Sequence, residues 1–368
     1  MVTRNDVAKL ANVSPSVVSY VINNSNYVSQ EKRDAVLAAI KELNYIPNQN
    51  AKNLRQGRTH MIAVVRGNQL NDMFNNLLYY MEHFAADKGY QLALLTVTKD
   101  MGRYATDEFI NSLISRHYDA VFIANSSLTE QQINLLARSN TKVLLYVTRD
   151  YYGLDENVGQ IVPDYRPAIH AAVNKIIALG HRNIAILPNI CYPLSQRTVS
   201  NHRFAGYMDA MTENGVNINF QYVPDSFQSI RDVCSFVTGM YDRSRVAHPP
   251  TAICGDEPFV MVNVLKQLNY IGLSVPDDVS LLCFSNSTMS IATSPEFSTI
   301  GFKPGQFAQT ALDMIIDLIH DKPASKIYIK LDYFERESIA APPDREPEPS
   351  TLREYIPPEM DIADIALI

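Results

Sequence analysis

The sequence lacks features that mark several classes of protein. No stretch approaches the roughly 20 apolar residues that a membrane-spanning helix needs. The first residues, 1–6, contain no apolar core of the kind that a secretory signal carries. Four cysteines in 368 residues, none in C-x-x-C spacing, make disulfides and a zinc site unexpected: Cys191, Cys234, Cys254 and Cys283. We therefore expect a globular protein of the reducing cytoplasm, without membrane contact.

Motifs of common enzymes are missing as well. The chain contains no G-x-G-x-x-G, P-loop, H-E-x-x-H or G-x-S-x-G sequence. Its eight histidines show no clustered ligand spacing. His181 follows a predicted helix in Leu179-Gly180-His181-Arg182, where we expect a structural role as a helix C-cap. The sequence thus predicts a protein that is not an enzyme, with no catalytic residue, metal or cofactor.

Charge is unevenly distributed along the chain. Residues 1–60 carry eight Lys/Arg against four Asp/Glu, a net +4, so the remainder carries −11 of the overall −7. A basic end on an acidic protein is typical of contact with a polyanion through that end alone.

Residues 1–46 show the signals of three short helices. Asn5–Leu10 is followed by a turn at residues 12–14. Ser14 is a plausible N-cap, with Pro15 at the first position of a helix that continues to Asn23. Ser29 is in position to cap a third helix that reaches Asn44. Two short helices joined by a tight turn predict a helix-turn-helix unit.

From residue 59 to 341 the chain alternates between strand and helix patterns. Apolar runs predict strands at Met61–Val65, Tyr90–Val97, Asp119–Ala124, Lys142–Val147, Asn183–Leu187, Thr251–Cys254 and Val279–Phe284. Helical spacing predicts helices at Met73–Lys88 and near Ala168–Leu179, Arg203–Glu213 and Glu257–Asn269. Repeated β-α units imply parallel sheets covered on both faces. We expect an α/β fold of two lobes around a cleft, with chain crossings near residues 160, 290 and 323.

Two segments outside these units have little capacity for burial. Residues 47–58 contain few apolar side chains and form a linker. The tail, residues 342–368, has six prolines and seven acidic residues against two arginines, a composition that favours disorder. Ile362, Ile365 and Ile368 allow a short terminal helix as the alternative, and no leucine heptad indicates a coiled coil.

The basic end resembles the DNA-binding region of the LacI/GalR (lactose-repressor/galactose-repressor) family. The resemblance rests on Asp6-Val7-Ala8, Val13-Ser14, Val17–Asn23, Leu43–Asn48, Ala51 and Leu54. It implies a helix-turn-helix headpiece, a hinge helix over Asn48–Gln56 that folds on DNA, and a two-lobe domain similar to periplasmic binding proteins as far as residue 340.

The second helix is the expected reader of bases, because base edges are recognised in the major groove by polar and methyl groups. Ser16, Val17 and Tyr20 are the outward candidates, although Tyr20 could instead pack on the headpiece. We expect phosphate contacts from Ser14, Ser19, Asn23 and Tyr45. Leu54, with Ala51 beside it, would enter the minor groove and kink the duplex. Its alternative role is to pack on the lobe beneath it.

The cleft is the expected effector site, near the carboxyl ends of the strands. The family resemblance implies contacts from Phe74, Asn125, Ser126, Arg197, Arg203, Asp256 and Ser285. Arg203, in Arg203-Phe204-Ala205-Gly206-Tyr207, is the best supported, and its alternative is a salt bridge at the cleft rim. Ser285 occupies the position at which members of the family usually have aspartate. A modified sugar or a nucleoside-like ligand therefore remains an alternative to a simple sugar.

The sequence therefore predicts a homodimeric transcriptional repressor that binds a palindromic DNA operator and responds to a small-molecule effector, a sugar or related metabolite. The alternatives are a cytoplasmic solute-binding receptor without a DNA role and an α/β enzyme that acts on a sugar or nucleoside. The identity of the effector, the operator sequence and the direction of the response do not follow from the sequence.

Overall fold

The computed structural model describes residues 2–46, 58–67, 72–97, 105–124, 128–139, 141–147, 149–188, 201–224, 227 and 229–355. The chain divides into two compact units, Met1–Thr59 and His60–Ile368. We call the first the headpiece and the second the body. None of the helices in the described ranges is long and apolar enough to span a membrane.

The described part of the headpiece contains three helices, α1 (Arg4–Leu10), α2 (Pro15–Asn23) and α3 (Gln30–Glu42). Ser14 caps α2 as expected, since its hydroxyl accepts a hydrogen bond from the Val17 N–H at 3.4 Å. Ser29 is the N-cap residue of α3, as predicted, but its side chain makes no capping hydrogen bond. The three helices share one small core of Val7, Ala8, Val18, Val21, Val36 and Ala39.

The first lobe of the body, the N-lobe, is built on a six-stranded sheet in the order β10-β5-β4-β3-β1-β2. The strands are β1 (Met61–Gly67), β2 (Gln91–Val97), β3 (Ala120–Ile123), β4 (Lys142–Tyr146), β5 (Val158–Pro163) and β10 (Lys326–Ile329). All of their pairings are parallel. The connecting helices are α4 (Asp72–Asp87), α5 (Asp107–Ser115) and α6 (Glu130–Arg138).

The second lobe, the C-lobe, has a five-stranded sheet in the order β11-β9-β8-β7-β6. Its strands are β6 (Ile184–Leu187), β7 (Ala252–Gly255), β8 (Ser280–Cys283), β9 (Ser298–Gly301) and the antiparallel edge strand β11 (Asp332–Phe334). Its helices are α7 (Tyr165–Ala178), α8 (His202–Glu213), α9 (Ile230–Met240), α10 (Pro258–Tyr270) and the short α11 (Thr288–Ile291). Helix α12 (Pro304–Ile319) returns to the N-lobe and packs on α4.

Within the described residues, the chain passes between the sheets at three points: between Pro163 and Tyr165, between Gly301 and Pro304, and between Ile329 and Asp332. The crossing expected near residue 160 lies close to its predicted position. Those expected near 290 and 323 come later, because α11 and β9 extend the C-lobe to Gly301 and β10 extends the N-lobe to Ile329.

Both faces of the parallel sheets are buried, as the apolar runs predict. In β1, Ala63 and Val65 belong to a core inside the N-lobe, whereas Ile62 and Val64 belong to a second core that also includes C-lobe residues. The lobes therefore share a continuous apolar interior. In the C-lobe, α7 and α8 approach so closely that a Cβ on Gly206 would lie 2.4 Å from the Arg166 carbonyl oxygen. Only glycine fits there.

The tail differs from its prediction over residues 342–355. This segment has no helix or strand, but it is held against the C-lobe. The Gln267 side chain, fully buried, accepts from the Tyr355 N–H at 2.6 Å and donates to the Arg353 carbonyl at 2.9 Å. Ser350 N–H donates to the Ile271 carbonyl at 2.8 Å. Proline-rich chain suits such an extended segment, and distant partners on the C-lobe hold it. The expected terminal helix lies outside the described residues.

Candidate functional site

Helix α2 presents a polar face outside the headpiece core. Val18 and Val21 are buried among the three helices, whereas Ser16 and Tyr20 are exposed and Val17 is half-buried. A helix with this division has small and polar groups available on its outer face, which is what recognition of base edges requires. Tyr20 therefore does not lie within the headpiece core.

The predicted phosphate-contacting residues surround that face in different environments. The Ser14 hydroxyl accepts from Val17, and a hydroxyl can still donate a hydrogen bond. The Asn23 amide donates to the Ser19 carbonyl at 2.9 Å and lies 3.3 Å from its hydroxyl oxygen. Tyr45 is partly buried against the headpiece core. Ala51 and Leu54 lie outside the described residues.

In the body, a pocket opens at the carboxyl ends of β6, β7 and β8. Ligands of parallel α/β sheets bind at this edge. Among the described residues, the walls of this pocket are largely apolar and include Ile186, Phe204 and Phe284. The polar side chains that line it there are those of Asn201, Arg203 and Asp256. A few polar groups in an apolar pocket are typical of a small-molecule site.

Arg203 and Asp256 form an ion pair at this pocket. The Arg203 Nε lies 2.7 Å from the Asp256 Oδ1, and the two side chains are 20% and 14% exposed. The Arg203 guanidinium carbon also lies 3.9 Å from the centroid of the Tyr165 ring, a cation–π arrangement. The Tyr165 hydroxyl is 3.1 Å from that of Tyr146, at the end of β4 in the N-lobe. Arg203 is thus linked through Tyr165 to the N-lobe.

Burial changes the ionisation of the acidic groups here. Burial raises the pKa of Asp256, and the Arg203 charge opposes that rise. Burial and then the neighbouring Asp256 hold the pKa of Glu257 well above its ordinary value. The pocket therefore contains one balanced charge pair, and Glu257 follows Asp256 directly in the chain.

The remaining predicted effector residues fall in different places. Phe74, in the first turn of α4, is 9% exposed and belongs to the core shared by the lobes. Ser285 follows β8 beside Phe284, is 7% exposed, and its hydroxyl has no hydrogen-bond partner among the described residues. Asn125, Ser126 and Arg197 lie outside the described residues.

Sequence reasoning missed Tyr165 and Asn201. Asn201 caps α8, since its side-chain oxygen accepts from the N–H groups of Arg203 and Phe204 at 3.0 and 3.3 Å. An asparagine directly before a helical pattern is a cap signal, so Asn201 was within reach of the sequence. Tyr165 carries no such local signal, because its contact with Arg203 depends on the packing of two helices.

His181 has a structural role other than the predicted one. Leu179 is the C-cap of α7. The buried His181 ring instead joins the Thr251 hydroxyl, 2.8 Å from Nδ1, to the Ala340 carbonyl, 2.8 Å from Nε2. Cys234, Cys254 and Cys283 are buried free thiols. Across the described ranges, no cluster of three His, Cys, Asp or Glu side chains could hold a metal ion.

Two family models match the chain in the two units. The model described as "Bacterial regulatory proteins, lacI family" matches residues 3–48, and that of a periplasmic binding protein-like domain matches residues 173–339. The first covers the headpiece helices, and the second contains Arg203, Asp256 and Ser285.

Known proteins match over nearly the whole length. The HTH-type transcriptional repressor PurR of Glaesserella parasuis is 26% identical over 342 residues, 92% of this chain and 97% of that protein. A Lac repressor dimer bound to operator and the anti-inducer ONPF has a TM-score of 0.74 at 22% identity, with 92% and 99% of the two chains covered. A complex of the transcriptional regulator CelR with cellobiose has a TM-score of 0.61 at 22% identity, with 92% and 100% covered.

Proposed function

The chain belongs to the LacI family of DNA-binding transcriptional regulators, and from that premise we propose that it is a homodimeric repressor whose hold on a palindromic operator is set by a small molecule in the cleft of the body. The observation that carries the proposal is the outer face of α2, where Ser16, Val17 and Tyr20 stand outside a closed three-helix core. This is the arrangement that a recognition helix needs in the major groove.

The operator is symmetric because one short helix reads too few base pairs for selective binding. Two headpieces related by a two-fold axis read two half-sites. Ser14, Ser19, Asn23 and Tyr45 make phosphate contacts that fix the register, and Ser16, Val17 and Tyr20 contact bases. Leu54 and Ala51 enter the minor groove between the half-sites. In this proposal, residues 1–46 form the helix-turn-helix DNA-binding domain, residues 47–58 the hinge, and residues 59–341 the effector-binding and dimerisation domain.

The effector is a neutral polar molecule, a sugar or related metabolite. Arg203 and Asp256 balance each other's charge, so this pair adds no net charge to the pocket. Such a site suits hydroxyl groups that both donate and accept. The complex of CelR with cellobiose supports the sugar class by analogy of fold. Arg203, Asp256 and Ser285 are the proposed contacts, joined by Phe74, Asn125, Ser126 and Arg197 from the resemblance.

The switch follows from linkage between the two sites. An effector changes operator affinity only if it binds one arrangement of the body better than the other. A coupling of about 1–3 kcal/mol changes that affinity roughly 5- to 150-fold. The proposed protein acts where the chromosome lies, in the cytoplasm, and catalyses no reaction.

Selection from a library of randomised palindromic duplexes tests the DNA half of the proposal. We expect enrichment of a symmetric site by the full chain and loss of enrichment when residues 1–58 are deleted. With six to eight phosphate contacts per dimer, the slope of log affinity against log salt is roughly −5 to −7. Equal affinity for all duplexes would contradict a sequence-specific regulator.

A thermal-shift screen of sugars and nucleosides tests the effector half. A ligand at 100 times its dissociation constant adds about 2.7 kcal/mol of stability. Ligand binding without any selective DNA binding would indicate the solute receptor instead. Conversion of a compound during the screen would indicate an enzyme.

A further inference from the structure

The two lobes are joined directly by side chains at one edge of the cleft. Asp72, the first residue of α4, belongs to the N-lobe, and its Oδ2 accepts a hydrogen bond from the Thr288 hydroxyl at 2.7 Å. The same oxygen accepts from the Met289 N–H at 3.2 Å. Thr288 and Met289 are the first residues of α11 in the C-lobe. A single carboxylate oxygen thus holds two donors across the lobe boundary.

A second set of interlobe contacts lies elsewhere along the cleft. Arg149 and Asn201 form an isolated antiparallel bridge, and the His202 Nε2 lies 3.0 Å from the Asp150 Oδ1. Residues 149–150 follow β4 and Asp72 follows β1, with β3 between those two strands. On the C-lobe, residues 201–202 follow β6 and Thr288 follows β8, with β7 between them. The two sets of contacts therefore follow different strands in both sheets.

We propose that Asp72 is a positioning residue for the effector switch: its bonds to Thr288 and Met289, termed here the Asp72 latch, stabilise the closed arrangement of the lobes. The Asp72 latch and the Arg149–Asn201 bridge fasten the two edges of the region that contains Arg203 and Asp256. Its predicted effects on effector and operator binding rest on the proposed function.

The physical reason is that the chain connections between the lobes are short and that Asp72 adds polar contacts to the apolar interior that the lobes share. The described chain passes between the sheets at three points, each only a few residues long. Opening about such connections exchanges the two charge-assisted bonds of Asp72 for bonds to water, at a modest net cost. That cost multiplies the ratio of closed to open molecules by a corresponding factor. A ligand that contacts both lobes then binds with an apparent affinity scaled by the closed population.

Hydrogen exchange of the full chain, without any ligand, tests the Asp72 latch. We expect Asp72→Ala to increase exchange about 3- to 10-fold in peptides that cover residues 149–151 and 201–204, which do not touch Asp72. Thr288→Val removes one of the two bonds and should give a smaller increase. The double variant should exchange no faster than Asp72→Ala alone, because both changes break the same contact.

Asp87→Ala is the matched control, because Asp87 lies exposed at the other end of the same helix. Melting temperatures of all variants verify that they fold. Asp72→Asn, which keeps an acceptor oxygen but no charge, serves as a second variant if Asp72→Ala fails to fold. If the distant peptides of Asp72→Ala exchange at the rate found in Asp87→Ala, the Asp72 latch does not hold the lobes and the inference is wrong.

The link to regulation has its own readout. Any sugar or nucleoside that stabilises the wild type in the thermal-shift screen should bind Asp72→Ala about 3- to 10-fold more weakly. Without ligand, Asp72→Ala should shift operator affinity in the direction opposite to that caused by the ligand. A shift in the same direction would overturn the link. Asp72→Ala could speed exchange at residues 149–151 and 201–204 while neither the wild type nor any variant binds DNA. That result would contradict the proposed function but would still support the Asp72 latch.

Discussion

Arg203 and Asp256 are paired at 2.7 Å in the cleft while the same guanidinium rests on the ring of Tyr165. The two charged residues come from different turns of the C-lobe, at the start of α8 and directly after β7. Neither is more than one-fifth exposed, so each depends on the other for compensation of its charge. The pair therefore contributes both to the fold of this lobe and to the proposed effector contact.

Removal of one partner should be costly for stability. We expect Arg203→Ala to lower the free energy of unfolding by about 2–4 kcal/mol, because it leaves a buried carboxyl without its cation. The double variant Arg203→Ala/Asp256→Ala should lose less than the sum of the two single variants. Urea unfolding measures both. Additive losses would show that the two side chains do not act as a pair.

Tyr20 should set base preference rather than overall affinity. Replacement of Tyr20 by Ala is expected to change selectivity at one base pair in each half-site by about 1–3 kcal/mol. Ser14→Ala should instead weaken binding to all sequences similarly. Duplex selection with each variant provides the measurement. Tyr27→Ala is the control, since Tyr27 is 95% exposed and lies outside α2. An unchanged selected site for Tyr20→Ala would remove Tyr20 from base contact.

His181 should make stability depend on pH. Burial lowers the pKa of His181 below its ordinary value of 6.5, so the folded protein favours the neutral ring. As pH falls below 6.5, the unfolded chain takes up a proton that the folded chain resists, and stability is lost. At pH 7.5, His181→Gln should cost about 1–3 kcal/mol through its two hydrogen bonds. The difference in stability between the wild type and His181→Gln should decrease towards pH 5.5, as measured by thermal melts. His83→Gln, at an exposed site, should show no such trend.

Gln267 should hold the tail in place. Its side chain bonds Arg353, Tyr355 and the Thr238 hydroxyl within the C-lobe. Gln267→Ala is expected to cost about 2–4 kcal/mol and to speed trypsin cleavage after Arg353. Mass spectrometry of timed digests follows that cleavage. Gln306→Ala, at an exposed position of α12, is the control. Equal cleavage rates in both variants would show that the tail is held by other contacts.

Local patterns predicted much of the fold. Helix α2 begins at Pro15 and ends at Asn23 as expected, and the strands β1, β2, β3, β4, β6, β7 and β8 lie within or beside their predicted runs. These elements follow from caps and from apolar periodicity, which are short-range signals. Strands β5, β9, β10 and β11 were not predicted. In β10 and β11 the apolar pattern is weak, because both strands are short, lie at sheet edges and contain only exposed and half-buried residues.

The long-range contacts were beyond such signals. Composition alone favoured a disordered tail, since six prolines and an excess of acid conceal the anchoring by Gln267. Glu346 likewise pairs with Arg243 at 2.6 Å, across about a hundred residues of chain. Asp72 meets Thr288 across a separation of 216 residues. No periodic pattern encodes these pairs, because they depend on how completed elements pack.

The order of the strands has a consequence for how the body is assembled during synthesis. Strand β10 lies at an edge of the N-lobe sheet and β11 at an edge of the C-lobe sheet, and both come near the end of the chain. The N-lobe sheet gains its last strand only after Ile329 has left the ribosome, and the C-lobe sheet only after Phe334. Helix α12, which covers α4, also arrives late. Each lobe therefore consists of non-contiguous segments of the chain. We expect that no single proteolytic cleavage would release either lobe as an independently folding fragment.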